Sequence, residues 1–290
     1  MITMGRSIAV GIGGACGWQA LAWATEEAER TGDRLVLLHV CAPGSPLDKA
    51  AEIPTPAEVE LFDPPLARAY TTTQTRLGGQ RVALRIRSGE PAARLVDAST
   101  GVRLLVIGAG VGGRTVRRVL RHAHCPVVAV RPETRSPHGS PLTGHVVIGV
   151  DGTAAGRTAM EFAFHHAATH RLPLAAVRVS EASRDDYFSD DVTLSTHFAV
   201  EPAALELLAA ETEPWALKCP TVPVRRAVLH GRVVDCLVRA GLGARLLVVG
   251  DKRRGAVGRA RTGDVPLTVA TEAPCPVAVV PLDQREADPL

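Results

Sequence analysis

The sequence predicts an α/β protein built of two doubly wound, five-stranded parallel-sheet domains. Three observations carry that expectation. Short aliphatic runs alternate with helical stretches along the 290 residues, the βαβα pattern that yields a parallel sheet covered by helices on both faces. Aromatic residues are only 3% of the chain while hydrophobic residues are 46%, so the core is aliphatic and suits buried parallel strands. The chain also repeats itself. Ala9–Gly14 (AVGIGG) matches Val147–Gly152 (VIGVDG) at an offset of 138, and Leu104–Gly108 matches Leu246–Gly250 at 142. Cys125-Pro126-Val127 matches Cys275-Pro276-Val277 at 150, so the first copy is eight residues shorter between Gly108 and Cys125.

In the first copy the aliphatic runs place strands at Ser7–Ile12, Leu35–Val40, Val82–Arg87, Leu104–Ile107 and Val127–Val130. In the second they fall at Val146–Val150, Leu174–Val179, Val222–Leu229, Leu246–Val249 and Val277–Val280. Helical patterns occupy the intervals, among them Gln19–Arg30, Thr158–His170 and Pro202–Glu211. Pro132–Pro141, rich in Pro, Ser and Gly, reads as the linker, which sets the domains at 1–134 and 143–283.

Arg6, the uncharged run Ser7–Thr25 and Ala22-Trp23-Ala24 together outline a secretory signal. Gly11, Gly13, Gly14 and Gly17 interrupt that run, however, and the same pattern recurs mid-chain where no signal can lie. The segment is therefore expected to be structural and the protein cytoplasmic. The six cysteines, widely spaced and without a C-x-x-C pair, read as buried small hydrophobes of a reducing compartment. Net charge is +3 overall, +4 in the first domain and −1 in the second, which gives no reason to expect nucleic acid as a partner. No apolar stretch approaches the roughly 20 residues that span a bilayer, so no membrane partner is expected.

Taken together, these landmarks resemble the universal stress protein (UspA-like) family in its tandem two-domain form. The residues that carry the resemblance are Val147–Gly152 at the first strand of the second copy and Leu246–Gly250 at the fourth. With them go Arg121–Val127 and Ala273–Val277 before the two fifth strands, in the same order in both copies. The resemblance implies an adenine-nucleotide alpha-hydrolase-like fold in each domain. It also implies an internal pseudo-dimer through the fifth strands, with a further homodimer left open.

The resemblance further implies a test for ATP. Binders in that family carry an Asp ending the first strand and, after the fourth, a loop of Gly, two residues, Gly, nine residues, Gly, then Ser or Thr. Glycines let backbone N–H groups approach phosphates, and a helix N-terminus adds partial positive charge. The second copy offers Asp151, Gly152, Gly250 and Gly263, but Arg253 takes the second-glycine position and Asp264 the Ser/Thr position. A carboxylate about 5 Å from a phosphate charge, at an effective dielectric of ~20, costs on the order of 3 kcal/mol, about a hundredfold in affinity. Lys252, Arg253, Arg254, Arg259 and Arg261 compensate in part or form a solvated basic loop. In the first copy Gly13 replaces the Asp and Arg114 the Ser/Thr, and four residues separate Gly108 from Gly113 where twelve separate Gly250 from Gly263. The second-domain site is thus half present and leaves room for weak ATP binding there alone, and no ATP is expected in the first domain.

Other patterns carry less. Gly108–Gly113 fits G-x-G-x-x-G, yet it lies in the fourth βα unit and no acid for a ribose follows, so it reads as a shortened turn. Arg114, Arg117, Arg118 and Arg121 share one helical face without a recognition motif, which reads as an exposed stripe. His166 and His170 have a chelating spacing but no third ligand, so they read as surface histidines and no metal is expected. Asp185-Asp186 and Asp190-Asp191 lack the glycine and terminal glutamate of a calcium loop and read as a polar loop. The sequence thus points to a non-catalytic stress-response binding and signalling module with an unidentified protein partner. Two alternatives stay open: a slow ATP hydrolase or nucleotide-processing enzyme using the second-domain cleft, and a structural interaction module without nucleotide.

Overall fold

A computed structural model describes residues 7–14, 16–48, 53, 55–110, 113–132, 140–180, 202–252 and 264–282. It divides into two units, 1–132 and 133–290. Unit 1 runs β1 (Ser7–Ile12), α1 (Gly17–Thr31), β2 (Arg34–Cys41), α2 (Pro56–Phe62), α3 (Pro64–Leu77), β3 (Val82–Ser88), α4 (Pro91–Ala98), β4 (Leu104–Gly108), α5 (Arg114–His122) and β5 (Val127–Val130). Its strands pair in parallel in the order β3-β2-β1-β4-β5. Unit 2 runs β6 (Val146–Gly149), α6 (Ala154–His170), β7 (Leu174–Ser180), α7 (Pro202–Lys218), β8 (Val224–His230), α8 (Val233–Ala240), β9 (Leu246–Asp251), α9 (Val265–Glu272) and β10 (Val277–Pro281). Its order is β8-β7-β6-β9-β10, again all parallel. Every strand expected from the sequence is present, and the doubly wound α/β class is confirmed.

The winding follows from the handedness of parallel crossovers. In unit 1 the connections from β1 to β2 and from β2 to β3 move one way across the sheet, while those from β3 to β4 and from β4 to β5 move the other way. Right-handed crossovers therefore put α1 and α3 on one face and α4 and α5 on the opposite one. The first strand of each unit lies where the direction reverses.

The near-absence of aromatics has a specific packing consequence. Ala20, Ala24 and Ala28 form a fully buried ridge along α1, and Ala159, Ala163 and Ala167 repeat it along α6 at an offset of 139. Methyl-sized side chains bring each helix close to its sheet, and glycines at the strand ends complete the approach. A Cβ on Gly108 would lie 2.5 Å from the Cys16 carbonyl oxygen, and one on Gly250 2.5 Å from that of Ala155. On the opposite face, a Cβ on Gly11 would meet Leu95 at 2.8 Å and one on Gly149 would meet Leu237 at 3.2 Å. The duplication is thus written in contacts as well as in letters.

Some boundaries differ from the sequence reading. β8 begins at Val224 because Pro223 has no N–H to give the ladder; its carbonyl accepts from Leu174 N–H at 2.9 Å. α7 continues past Glu211 to Lys218 and carries Pro214 inside it, although an internal proline ordinarily costs a helix ~3 kcal/mol or more. The next residue, Trp215, stacks on Phe164 at 6.4 Å and meets the His165 ring edge-on at 6.1 Å, contacts that offset the loss. His166 is buried, not on the surface, and its ring stacks on that of His170 at 4.1 Å. Arg114, Arg117 and Arg118 are exposed as expected, with Arg118 paired to Glu90 at 3.1 Å. The two Asp pairs at 185–191 lie outside the described residues. Among the described residues, no helix is long and apolar enough to cross a membrane.

None of the six cysteines forms a disulfide, and only Cys219 is not buried. Burial raises the Cys236 thiol and pushes that of Cys275 up to about 12. Both stay protonated at neutral pH, and buried protonated thiols are inert.

Candidate functional site

Open α/β sheets bind ligands outside the carboxyl ends of their strands, at the point where the winding reverses. In unit 2 that point lies between β6 and β9, and Asp151 stands there. Val150 continues the ladder through its N–H to the Val177 carbonyl at 2.8 Å. The chain then turns at Asp151-Gly152-Thr153, where Gly152 takes the left-handed φ of 75° that glycine adopts without steric cost. Thr153 caps α6, accepting from Gly156 N–H at 3.2 Å.

Asp151 binds both sides of this crevice. One carboxylate oxygen accepts from the Thr153 N–H at 3.1 Å and hydroxyl at 2.7 Å. The other accepts from Lys252 Nζ at 2.8 Å, and the Asp151 side chain is half exposed. Burial alone would raise the Asp151 carboxyl. The hydrogen bonds from Lys252 and Thr153, with the Lys252 charge, outweigh it and hold the group below the usual carboxylate range. Because the folded value is the lowered one, the stabilisation is present above the ordinary carboxylate range and is lost as pH falls through the lowered value. Lys252→Met is expected to move the Asp151 carboxyl titration upward, as read by carbon NMR. The same change should alter unfolding stability by less than about 1 kcal/mol, since the pair is solvent-screened.

Gly250 serves the close approach of β9 to the first turn of α6; the backbone of Ala155 and Gly156 fills the space a side chain would need. Asp264 is the N-cap of α9, its carboxylate accepting from Leu267 N–H at 3.4 Å. A helix N-terminus favours negative charge, and this one is already served by the protein's own acid. Arg253 and Gly263 lie outside the described residues. The structure therefore brings Asp151, Gly152 and Gly250 to one crevice and gives Asp264 a capping role. It adds Lys252 and Thr153 as direct partners of the acid. The sequence pattern starts this helix at Thr158 and so passes over the Thr153 cap, and Lys252, directly after β9, counts there only among the cations of a basic loop.

Unit 1 has a different crevice. Gly13 and Gly14 follow β1, and Cys16 caps α1 without a side-chain hydrogen bond. Gly108 abuts the Cys16 carbonyl, and α5 starts at Arg114 after Gly113, again without a side-chain cap. The turn reading of the glycine-rich run is consistent with this geometry, although residues 111–112 lie outside the described residues. In the sequence, Gly13 and Ala15 stand where unit 2 has Asp151 and Thr153.

Comparison with known proteins agrees with the resemblance drawn from the sequence. The model of the universal stress protein family matches residues 4–131 and again 143–281. A universal stress protein of Mycobacterium tuberculosis is 30% identical over 279 residues, covering 90% of this chain and 91% of that protein. One from Mycolicibacterium smegmatis is 29% identical over 275 residues, with 90% and 92% covered. The crystal structure of a universal stress protein from Archaeoglobus fulgidus superposes with a TM-score of 0.64 at 14% identity, covering 97% of both chains, a likeness of fold.

Proposed function

Since the chain belongs to the universal stress protein family in tandem form, we propose that it is a binding and signalling module without turnover, whose second unit alone takes an adenine nucleotide, weakly. The observation that carries this reading is Asp151, held ionised at the carboxyl end of β6 and facing Lys252 across the crevice where the winding reverses. An ionised acid there can accept from ribose hydroxyls, while Lys252, released from it, can meet a phosphate. Unit 1 offers neither group, which supports assigning it no nucleotide.

Weak binding follows from two costs. The Asp151–Lys252 pair must open, and the Asp264 carboxylate at the α9 N-terminus repels a polyphosphate. Calorimetric titration of the full chain with ATP is expected to show one micromolar site that Asp151→Ala abolishes. Asp264→Ser keeps an N-cap and removes the charge, so it should tighten ATP binding by about tenfold or more, a screened share of the Coulomb cost. Asp264→Ala should in addition cost about 1 kcal/mol of stability through the lost cap. If the native chain gives no heat while Asp264→Ser does, the second unit is a silenced site and the proposal fails. Phosphate release above background that disappears in Asp151→Ala would overturn the reading of a module without turnover.

A further inference from the structure

Unit 1 contains a cavity of about 690 Å³ that none of its crevice residues Gly13, Gly14 or Gly108 lines. It arises from the winding. Helix α4 lies against β2 with its Leu95 over Gly11 of β1, its Arg94, Asp97 and Ala98 form one side of the cavity, and α5 follows beside β5. The β2–β3 end of that sheet face is left to the cavity, which the short 3₁₀ turn Pro46–Asp48 flanks through Leu47 and Asp48. Ala9, Val36, Leu38 and Leu47 give it an apolar floor.

One wall is cationic. Residues two apart on a strand share a face, and the register Leu38↔Arg85 and Val40↔Arg87 puts Arg85 and Arg87 on the same face as Val36 and Leu38. The corresponding register in unit 2, Val177↔Ala227 and Val179↔Leu229, has Ala227 and Leu229 at those places. The fold therefore accepts apolar residues there, and the arginines are particular to unit 1.

The acids in the wall already have partners. Asp48 accepts from the Gly44 N–H at 2.7 Å, and Asp97 lies 3.6 Å from Arg94, whose Nε donates to the Ser88 carbonyl. Among the described residues the Arg85 guanidinium makes no ion pair or hydrogen bond, and it is part of the cavity lining. Three arginines against two aspartates give the lining a formal charge of +1, which suits a single negative charge better than a polyphosphate.

We propose that this cavity binds a small aliphatic carboxylate, its head on Arg85 at the β3 wall and its tail on the floor formed by Ala9, Val36, Leu38 and Leu47. A guanidinium matches a carboxylate in a two-bond fork, and an apolar pocket with a few convergent polar groups is the usual form of a small-molecule site.

The test is titration of the full chain with decanoate below its micellar range, followed by calorimetry. Saturable one-to-one binding is expected, weakened about tenfold or more in Arg85→Ala, the scale of a lost charged anchor. Decanol and inorganic phosphate should each bind far more weakly. If Arg85→Ala fails to fold, Val36→Phe, which fills the floor and spares the arginines, should block decanoate. ATP titration of the same variants should be unchanged, which separates this site from the unit 2 crevice. Absence of saturable decanoate binding in the native chain overturns the proposal. So does unchanged affinity in both variants, or phosphate binding as tightly as decanoate.

Discussion

Arg103→Met is expected to lower the free energy of unfolding by about 3 kcal/mol, the low end of the range for breaking a buried ion pair. The Arg103 guanidinium donates from Nε to Asp33 and from Nη2 to Glu27 at 3.2 Å. Both acids are only 5% exposed at the side chain, while Arg103 is 29% exposed. Removing the cation leaves two carboxylates facing each other's field in poor solvent. The partial exposure of Arg103 screens the loss and keeps it from the top of the range. The cluster joins α1, through Glu27, and the turn after it, through Asp33, to the residue before β4, whose N–H also binds the Ser7 carbonyl at 3.0 Å. Urea denaturation should show the midpoint fall. Adding Glu27→Gln and Asp33→Asn to Arg103→Met should recover more than half of the loss. No recovery would mean that the stem of Arg103, not its charge, was holding the turn.

Gly250→Ala is expected to cost about 3 kcal/mol, the upper part of the usual range for overpacking. The new methyl would stand 2.5 Å from the Ala155 oxygen and 3.0 Å from the Gly156 nitrogen. Both are backbone atoms at the start of a helix, so no side chain can swing aside; the whole first turn of α6 must move. That turn carries the Thr153 cap and the Asp151 loop, so ATP binding should weaken with stability. Gly108→Ala should cost a similar amount for the same reason against Cys16, without touching ATP. Gly101→Ala is the control: its added Cβ meets nothing within 4 Å, and a change within about 0.5 kcal/mol is expected. Calorimetric melting of the three variants checks the series, and equal effects of Gly101 and Gly250 would sink the argument.

The fold was legible because parallel strands buried on both faces announce themselves as aliphatic runs, and because each run occurs twice. Asp151 was legible for the same reason, as the one acid that breaks the symmetry with Gly13. What the sequence hid depends on pairs distant in the chain. Lys252 is one of several basic residues in its loop, and only the β6–β9 register brings it to Asp151. Asp264 reads as a repulsive substitution in a phosphate loop, yet a helix start turns it into a cap. Glu27, Asp33 and Arg103 are unremarkable charges until the fold buries two of them together. Arg85 and Arg87 alternate with Leu84 and Ile86 as on any half-exposed strand, and nothing local says that a helix stops short of covering them.

The alanine ridge and its strand-end glycines separate inheritance into two parts that can age at different rates. The seam between first helix and sheet depends on atoms that neither touch a ligand nor reach the loop after the fourth strand. Unit 1 is eight residues shorter in that loop and has Gly13 where unit 2 has Asp151, yet its seam is intact. The loops of one copy can therefore differ from those of the other while the architecture of both stands, which leaves each crevice free to serve a use of its own.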